Sequence, residues 1–107
     1  MNDLEITRLC AEAMGVFGTI APNGNTVWLR NSTKRYNPLT NSEQCLALVE
    51  RFRMLVRWDG GVHGWTAGVW YDGSKGQAIW MDWTDQDLRR AICLCVAKMQ
   101  ATRGNVA

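Results

Sequence analysis

Histidine, proline and long apolar runs are what this sequence lacks. Of its 107 residues, one is His and two are Pro. No uninterrupted stretch approaches the roughly 18 apolar residues of a membrane-spanning helix, so no association with a bilayer is expected. The N-terminus, Met1-Asn2-Asp3-Leu4-Glu5, has neither a basic nor an apolar segment. It therefore reads as free of a secretory signal, and the expected setting is a cytoplasm. The single histidine, His63, falls in the turn-like stretch Asp59–Gly64, where a solvated side chain is expected rather than a general base. Gly60-Gly61 and Gly73…Gly76 lack both a following helix and a Gly-Lys-Ser/Thr ending, so they read as hairpin turns and not as phosphate loops. Asp82, Asp85 and Asp87 cluster around the start of a predicted helix, and its positive end accounts for them better than acid–base work or magnesium binding. Nucleophile, base and stabiliser do not come together in any motif, and no cofactor motif is present. The expectation is a protein that is not an enzyme.

The cysteines follow the same logic. Cys10, Cys45, Cys93 and Cys95 all fall in predicted helices, mostly on their apolar stripes. Cys93-x-Cys95 is too closely spaced for the usual zinc pairing, and a single His offers little support. Reduced, buried thiols acting as small hydrophobes are the expected state.

The content is ordinary in charge and unusual in tryptophan. Hydrophobic residues make up 47% and charged residues 21%, which fits one globular domain spanning residues 1–107. A net charge of +2 neither demands nor excludes nucleic acid. Six Trp are the compositional oddity, and large flat side chains serve either a core or a binding surface.

Periodicity predicts three helices. Residues 2–14 carry Ile6, Leu9, Cys10, Ala13 and Met14 at helical spacing, with Asn2 or Asp3 as cap and Gly15 in the left-handed terminal position. Residues 41–53 form the clearest helix, entered through Pro38 and a Thr40-x-x-Glu43 capping box, with Asn41 or Ser42 as alternative caps. Its stripe is Cys45, Leu48, Val49 and Phe52, and it reads as the central element. Residues 85–101 form the last helix, capped by Thr84, with Leu88, Ala91, Ile92, Cys95, Val96 and Met99 inward. Cys93 and Leu94 on its flanks suggest burial on more than one side.

Between the last two helices, Met54–Trp58, Gly64–Tyr71 and Gln77–Trp83 alternate as a three-stranded antiparallel meander, with Asp59-Gly60 as a two-residue hairpin signal. Trp65, Ala67, Val69 and Tyr71 share one face with Ile79, Met81 and Trp83. Thr66, Gly68 and Trp70 take the other, as does Trp80. Residues 16–40 read as a long, partly irregular connection, with Thr26–Arg30 as a candidate fourth short strand and Asn31–Asn37 as an exposed loop. Residues 102–107 read as a frayed tail. The expected fold is α+β, a small antiparallel sheet packed with three helices in an α/β sandwich.

Several pieces resemble small bacteriophage proteins of the NinX-like and phage "ABA sandwich" type. They are Asp3-Leu4-Glu5-Ile6 with Ala11-Glu12-Ala13-Met14-Gly15, Tyr36-Asn37-Pro38-Leu39-Thr40-Asn41, Trp65-Thr66-Ala67, and Asp87-Leu88-Arg89-Arg90-Ala91-Ile92-Cys93. Their order covers most of the chain. The resemblance implies a phage or prophage origin, a bacterial host cell and a sandwich fold. It implies no activity and no catalytic residue.

Two surface signals follow from the residues themselves. Trp28, Arg30, Lys34, Arg35 and Tyr36, then Arg51, Arg53, Arg57 and Trp58, interleave positive charge with aromatics. That mixture binds single-stranded nucleic acid by charge and stacking, or is simply a solvated surface over core tryptophans. Trp70 and Trp80 lie on the back of the sheet, either beneath a helix or exposed as interface anchors. The functional expectation is a non-catalytic phage accessory protein that binds a host or phage protein and modulates a host system. The alternatives are a nucleic-acid-binding module and small-ligand capture in a Trp-lined pocket. The sheet face also admits a homodimer.

Overall fold

The computed structural model describes residues 1–32, 34–73 and 75–104. Three helices and two three-stranded antiparallel sheets make an α+β fold. The helices are α1 (Asp3–Met14), α2 (Ser42–Phe52) and α3 (Leu88–Gly104). The first sheet runs β1 (Phe17–Ile20), β2 (Val27–Leu29), β3 (Arg35–Tyr36), and the second β4 (Leu55–Trp58), β5 (Trp65–Asp72), β6 (Ala78–Asp85).

Helix α1 starts and stops where its sequence says. Asn2 Oδ1 accepts from the Glu5 backbone N–H at 2.8 Å, and Gly15 closes the helix with φ 72°. At α2 the cap is Asn41, whose side chain accepts from Gln44 N–H at 3.0 Å, rather than Thr40. Its last turn ends on Arg53, a non-glycine residue at φ 51°. Helix α3 begins later than the sequence suggests. Strand β6 continues to Asp85, so Thr84 belongs to the strand, and Asp87 Oδ1 caps the helix through Arg90 N–H at 3.1 Å. At the other end α3 continues to Gly104 instead of fraying at residue 102, and residues 105–107 lie outside the described residues.

The centre of the molecule is α3, not the helix at 41–53. Ala91, Ile92, Cys93, Leu94, Cys95, Val96 and Ala97 are all buried. Seven consecutive residues span almost two turns, so every side of that helix is covered. One side meets β5 and β6, another meets α1, and α2 packs on a third. Small side chains let α1 and α3 approach closely: Cys10, Ala11, Ala91 and Cys93 are all fully buried, and Cys10 Sγ donates to the Cys93 carbonyl at 3.3 Å. Helix α2 buries only Cys45 and Leu48 and leaves Leu46 55% exposed, which makes it a peripheral element.

The 16–40 connection is more ordered than its composition suggests. Instead of one extra strand it forms a separate sheet, with Val27 opposite Tyr36 and Trp28 opposite Arg35. Val27 and Tyr36 are buried, and this sheet rests on α1. The expected loop at Asn31–Asn37 therefore includes a strand. Gly18 sits at the bulge of β1, where a Cβ would stand 2.7 Å from the Trp28 carbonyl oxygen. The second sheet is the expected meander. Its first turn is not a two-residue hairpin, however, because Trp58 pairs with Trp65 and Asp59 N–H donates to the Gly64 carbonyl at 2.8 Å. Gln86 Nε2 ties that six-residue loop down through the Gly61 and Val62 carbonyls.

Candidate interaction surface

The buried core is built from Ile, Leu, Val, Met, Ala and Cys with one aromatic, Tyr36, and none of the six tryptophans is among its fully buried members. Trp28 and Trp65 are half-buried, while Trp58, Trp70, Trp80 and Trp83 are exposed. Five of the six stand on β4, β5 and β6. Strand alternation sends Trp58, Trp65 and Trp83 toward the α3 side and Trp70 and Trp80 to the outer side. On the inner side, Trp58 and Trp65 meet edge-on with centroids 5.2 Å apart, and Lys98 Nζ lies 5.1 Å from the Trp83 ring centre.

The outer side has a defined apolar end. Leu55 on β4 is opposite Gly68 on β5, and Gly68 is opposite Asp82 on β6. Trp70 and Trp80 are direct cross-strand partners with ring centroids 5.2 Å apart and planes at 56°. The Trp80 ring lies down across Gly68, so closely that a Cβ there would come within 2.1 Å of ring carbon Cζ2. Glycine weakens a strand interior, and here it gives an indole a seat. The Trp80 indole N–H donates to Asp82 Oδ2 at 2.9 Å, fixing the ring's direction. Trp70 is 64% exposed, Leu55 46% and Trp80 37%. No helix covers this side among the described residues, since α3 packs on the inner side and the first sheet packs on α1. Of the two expectations for Trp70 and Trp80, exposure is the one found.

The other end of the same side is polar. Thr66 Oγ1 bonds Asp59 Oδ2 and meets Thr84 Oγ1 at 3.1 Å, while Arg57 Nε reaches Asp59 Oδ1 at 2.8 Å. The Thr66 hydroxyl, helped by the Arg57 guanidinium, holds the Asp59 carboxyl below its ordinary value against the opposing effect of desolvation. Beside Trp70 a cleft of about 240 Å³ is lined by Arg51, Phe52, Asp72 and Arg103.

The basic residues singled out in the sequence do not form one surface. Trp28, Arg30, Lys34 and Arg35 gather at the β2–β3 hairpin of the first sheet, with Trp28 directly opposite Arg35. Arg51, Arg53 and Arg57 belong to the end of α2 and to β4. Of these, Arg57 lies on the side that carries Trp70 and Trp80, beside Asp59, while Arg51 lines the cleft at the sheet's edge with Trp70, Tyr71 and Met99. Strand alternation puts Gly68 on the face of Trp70 and Trp80 but not as a seat for a ring, and Leu55 and Asp82 are members of the surface that the sequence does not assign to it. The available signal was the isolated glycine inside an aromatic-rich strand.

His63 is exposed in the Asp59–Gly64 loop, and Asp87 serves as a helix cap. The four cysteines are buried and free. Burial pushes the Cys95 thiol up to about 12. Hydrogen bonding to neighbouring thiols, with burial, pushes Cys45 and Cys93 up as well. Among the described residues, no group of three His, Cys, Asp or Glu is arranged to hold a metal ion. No described helix is long and apolar enough to cross a membrane.

Comparison of the chain with protein-family models, with curated proteins and with solved structures finds no match in any of the three. The phage resemblance thus rests on the sequence motifs alone.

Proposed function

We propose that this chain is a non-catalytic binding module that docks a protein partner through the outer side of β4, β5 and β6. The observation that carries the reading is the seated tryptophan pair. Trp70 and Trp80 stand exposed and adjacent, one ring held over Gly68 and by Asp82, with Leu55 beside them. Exposed contiguous aromatic surface is costly to leave in water, and pre-ordered Trp anchors lose little entropy on binding. Charge favours a protein over a nucleic acid as the occupant. Asp59, Asp72 and Asp82 share the surface with Arg57, a mixed pattern that suits the polar rim of a protein partner and repels a phosphate backbone. The phage resemblance directs the partner search to host and phage proteins, with modulation of a host system as the specific role.

The test is affinity capture from bacterial extract with nuclease treatment, using the native chain, Trp70→Ala and Trp80→Ala side by side. A specific partner is retained after nuclease and weakened by about 2 kcal/mol, roughly 30-fold, in each variant, as expected for a tryptophan hot spot. A partner held equally by all three proteins overturns the assignment to this surface. Capture abolished by nuclease transfers the reading to nucleic acid and to the Trp28–Arg35 cluster.

A further inference from the structure

Strand β6 is the long free edge of the second sheet. The order β4-β5-β6 leaves one side of β6 unpaired over Ala78–Asp85, whereas the opposite edge, β4, has only four residues. Two turn bonds tell which backbone groups face outward. Asp59 N–H donates to the Gly64 carbonyl and Gly73 N–H to the Gln77 carbonyl, each at 2.8 Å. Bonded and non-bonded pairs alternate along an antiparallel ladder. Counting along the register from either bond, Ile79, Met81, Trp83 and Asp85 are the residues bonded to β5. Ala78, Trp80, Asp82 and Thr84 turn their N–H and C=O groups to the open side. Among the described residues, none of those groups has a partner. Natural sheet edges are blunted by Pro, Lys, a bulge or shortness. Strand β6 has none of these: it is eight residues long, pairs with β5 without a shift, and carries Asp82 as its one charge before the terminal Asp85.

This edge is complementary to itself. Two copies related by a two-fold axis through the sheet pair antiparallel, and residues that face each other must point to the same side of it. An axis at Met81 meets that condition over the whole of Ala78–Thr84. It sets Ala78 opposite Thr84 and Trp80 opposite Asp82 of the second copy, so outward backbone groups meet outward backbone groups and each such pair exchanges two bonds. On the inner side Met81 meets Met81 and Ile79 meets Trp83. Ile79 and Met81 are half-buried and Trp83 is 38% exposed, so the contact covers apolar surface now open to water. No like charges are opposed. An axis at Asp82 sets two carboxylates against each other, which is destabilising. An axis at Trp80 leaves Trp83 and Thr84 unpaired.

We propose that β6 pairs antiparallel with β6 of a second copy of this chain about Met81, joining two three-stranded sheets into one. The Trp70–Trp80 pairs of both copies then lie on the same side of the joined sheet. The seam uses the backbone edge and the inner side chains, so it does not rest on the docking role of the tryptophans.

The test is sedimentation velocity of the native chain from about 1 µM to about 500 µM, with cysteine cross-linking to read the register. The native chain is expected to pass from monomer to dimer across that range. Its own four thiols are buried and free, so an introduced thiol reports alone. Met81→Cys puts two thiols at the axis in a non-bonded pair, with Cα atoms about 4.5 Å apart, within disulfide reach. With diamide as the oxidant that takes up both thiol hydrogens, Met81→Cys is expected to give a covalent dimer. Ala78→Cys is expected to give none, because its two thiols lie at opposite ends of the seam. Ala78→Pro removes an outward N–H at the first position of the strand, where Pro is tolerated. It is expected to weaken the dimer by about tenfold or more while unfolding like the native monomer in dilute solution. Trp70→Ala is expected to dimerise like the native chain, which separates this seam from the docking surface. A native chain that stays monomeric throughout, a Met81→Cys variant that does not cross-link, cross-linking of Ala78→Cys instead, or an Ala78→Pro dimer as strong as the native one overturns the proposal.

Discussion

At the scale of single residues, Gly68 and Arg53 have opposite relations to their positions. Gly68 is required by a neighbour's ring. In Gly68→Ala the added methyl and the Trp80 indole cannot share one place, and the ring is the part free to move. The expected result is a Trp80 that leaves its seat and loses Asp82. Near-UV circular dichroism and acrylamide quenching report it, with greater quenching than in the native chain. Arg53 instead holds φ 51° without the freedom of glycine. A left-handed conformation costs a residue with a Cβ roughly 1 kcal/mol. Arg53→Gly is therefore expected to raise stability by about that amount, measured by urea unfolding. Asp59 gives a pH test. Its folded carboxyl titrates below the unfolded value, so its stabilising contribution is present above about pH 4 and is lost as pH falls through the lowered value. Asp59→Asn is expected to flatten the acid side of the stability profile.

At the scale of elements, α3 and α2 differ in what they support. Met99 is fully buried on α3, whereas Leu46 on α2 is exposed. Met99→Ala is expected to lose about 3 kcal/mol, a large fraction of a small domain's stability, and Leu46→Ala less than about 0.5 kcal/mol. Chemical denaturation of both variants decides whether α3 is the centre. The same helix makes the protein sensitive to base. Cys93 and Cys95 have raised folded pKa values, Cys95 up to about 12, so the unfolded thiols ionise first as pH rises. Their contribution is fully present below about pH 8.5 and declines as pH climbs toward the folded values. The urea midpoint is expected to fall between about pH 8 and pH 10, and native thiols to resist alkylation until unfolding.

At the scale of the whole molecule, the two sheets are tied to one helical centre by different neighbours. The first sheet packs on α1, and the second packs on α3. Strands of two to four residues with few buried side chains cannot match the long pairing of β5 and β6. Local opening energies follow buried contacts, so hydrogen exchange is expected to be slowest in α3 and β5 and faster across β1, β2 and β3. Equal protection of both sheets would show that they open only together.

What was legible in the sequence was local. Asn2 and Gly15 bound α1 because capping and a left-handed terminal residue depend on a few adjacent backbone groups. The alternation of β5 and β6 placed Trp70 and Trp80 on one side because side chains in a strand alternate with period two. Even the extra flank of Cys93 and Leu94 marked α3 as buried on more than one side, and both residues are buried. The rest depended on partners distant along the chain. A strong cap and stripe made residues 41–53 look central, yet burial is decided by what packs on a helix, and α2 is packed on one side only. The polar stretch before Asn37 gained a strand at Arg35–Tyr36 because β2 pairs with it and Tyr36 is buried. The sequence alone sets the identity of the tryptophans and their parity along each strand. Their exposure is a tertiary outcome: small Ala, Cys and Val side chains fill the close-packed centre around α3, and no element remains to cover the outer side of the second sheet.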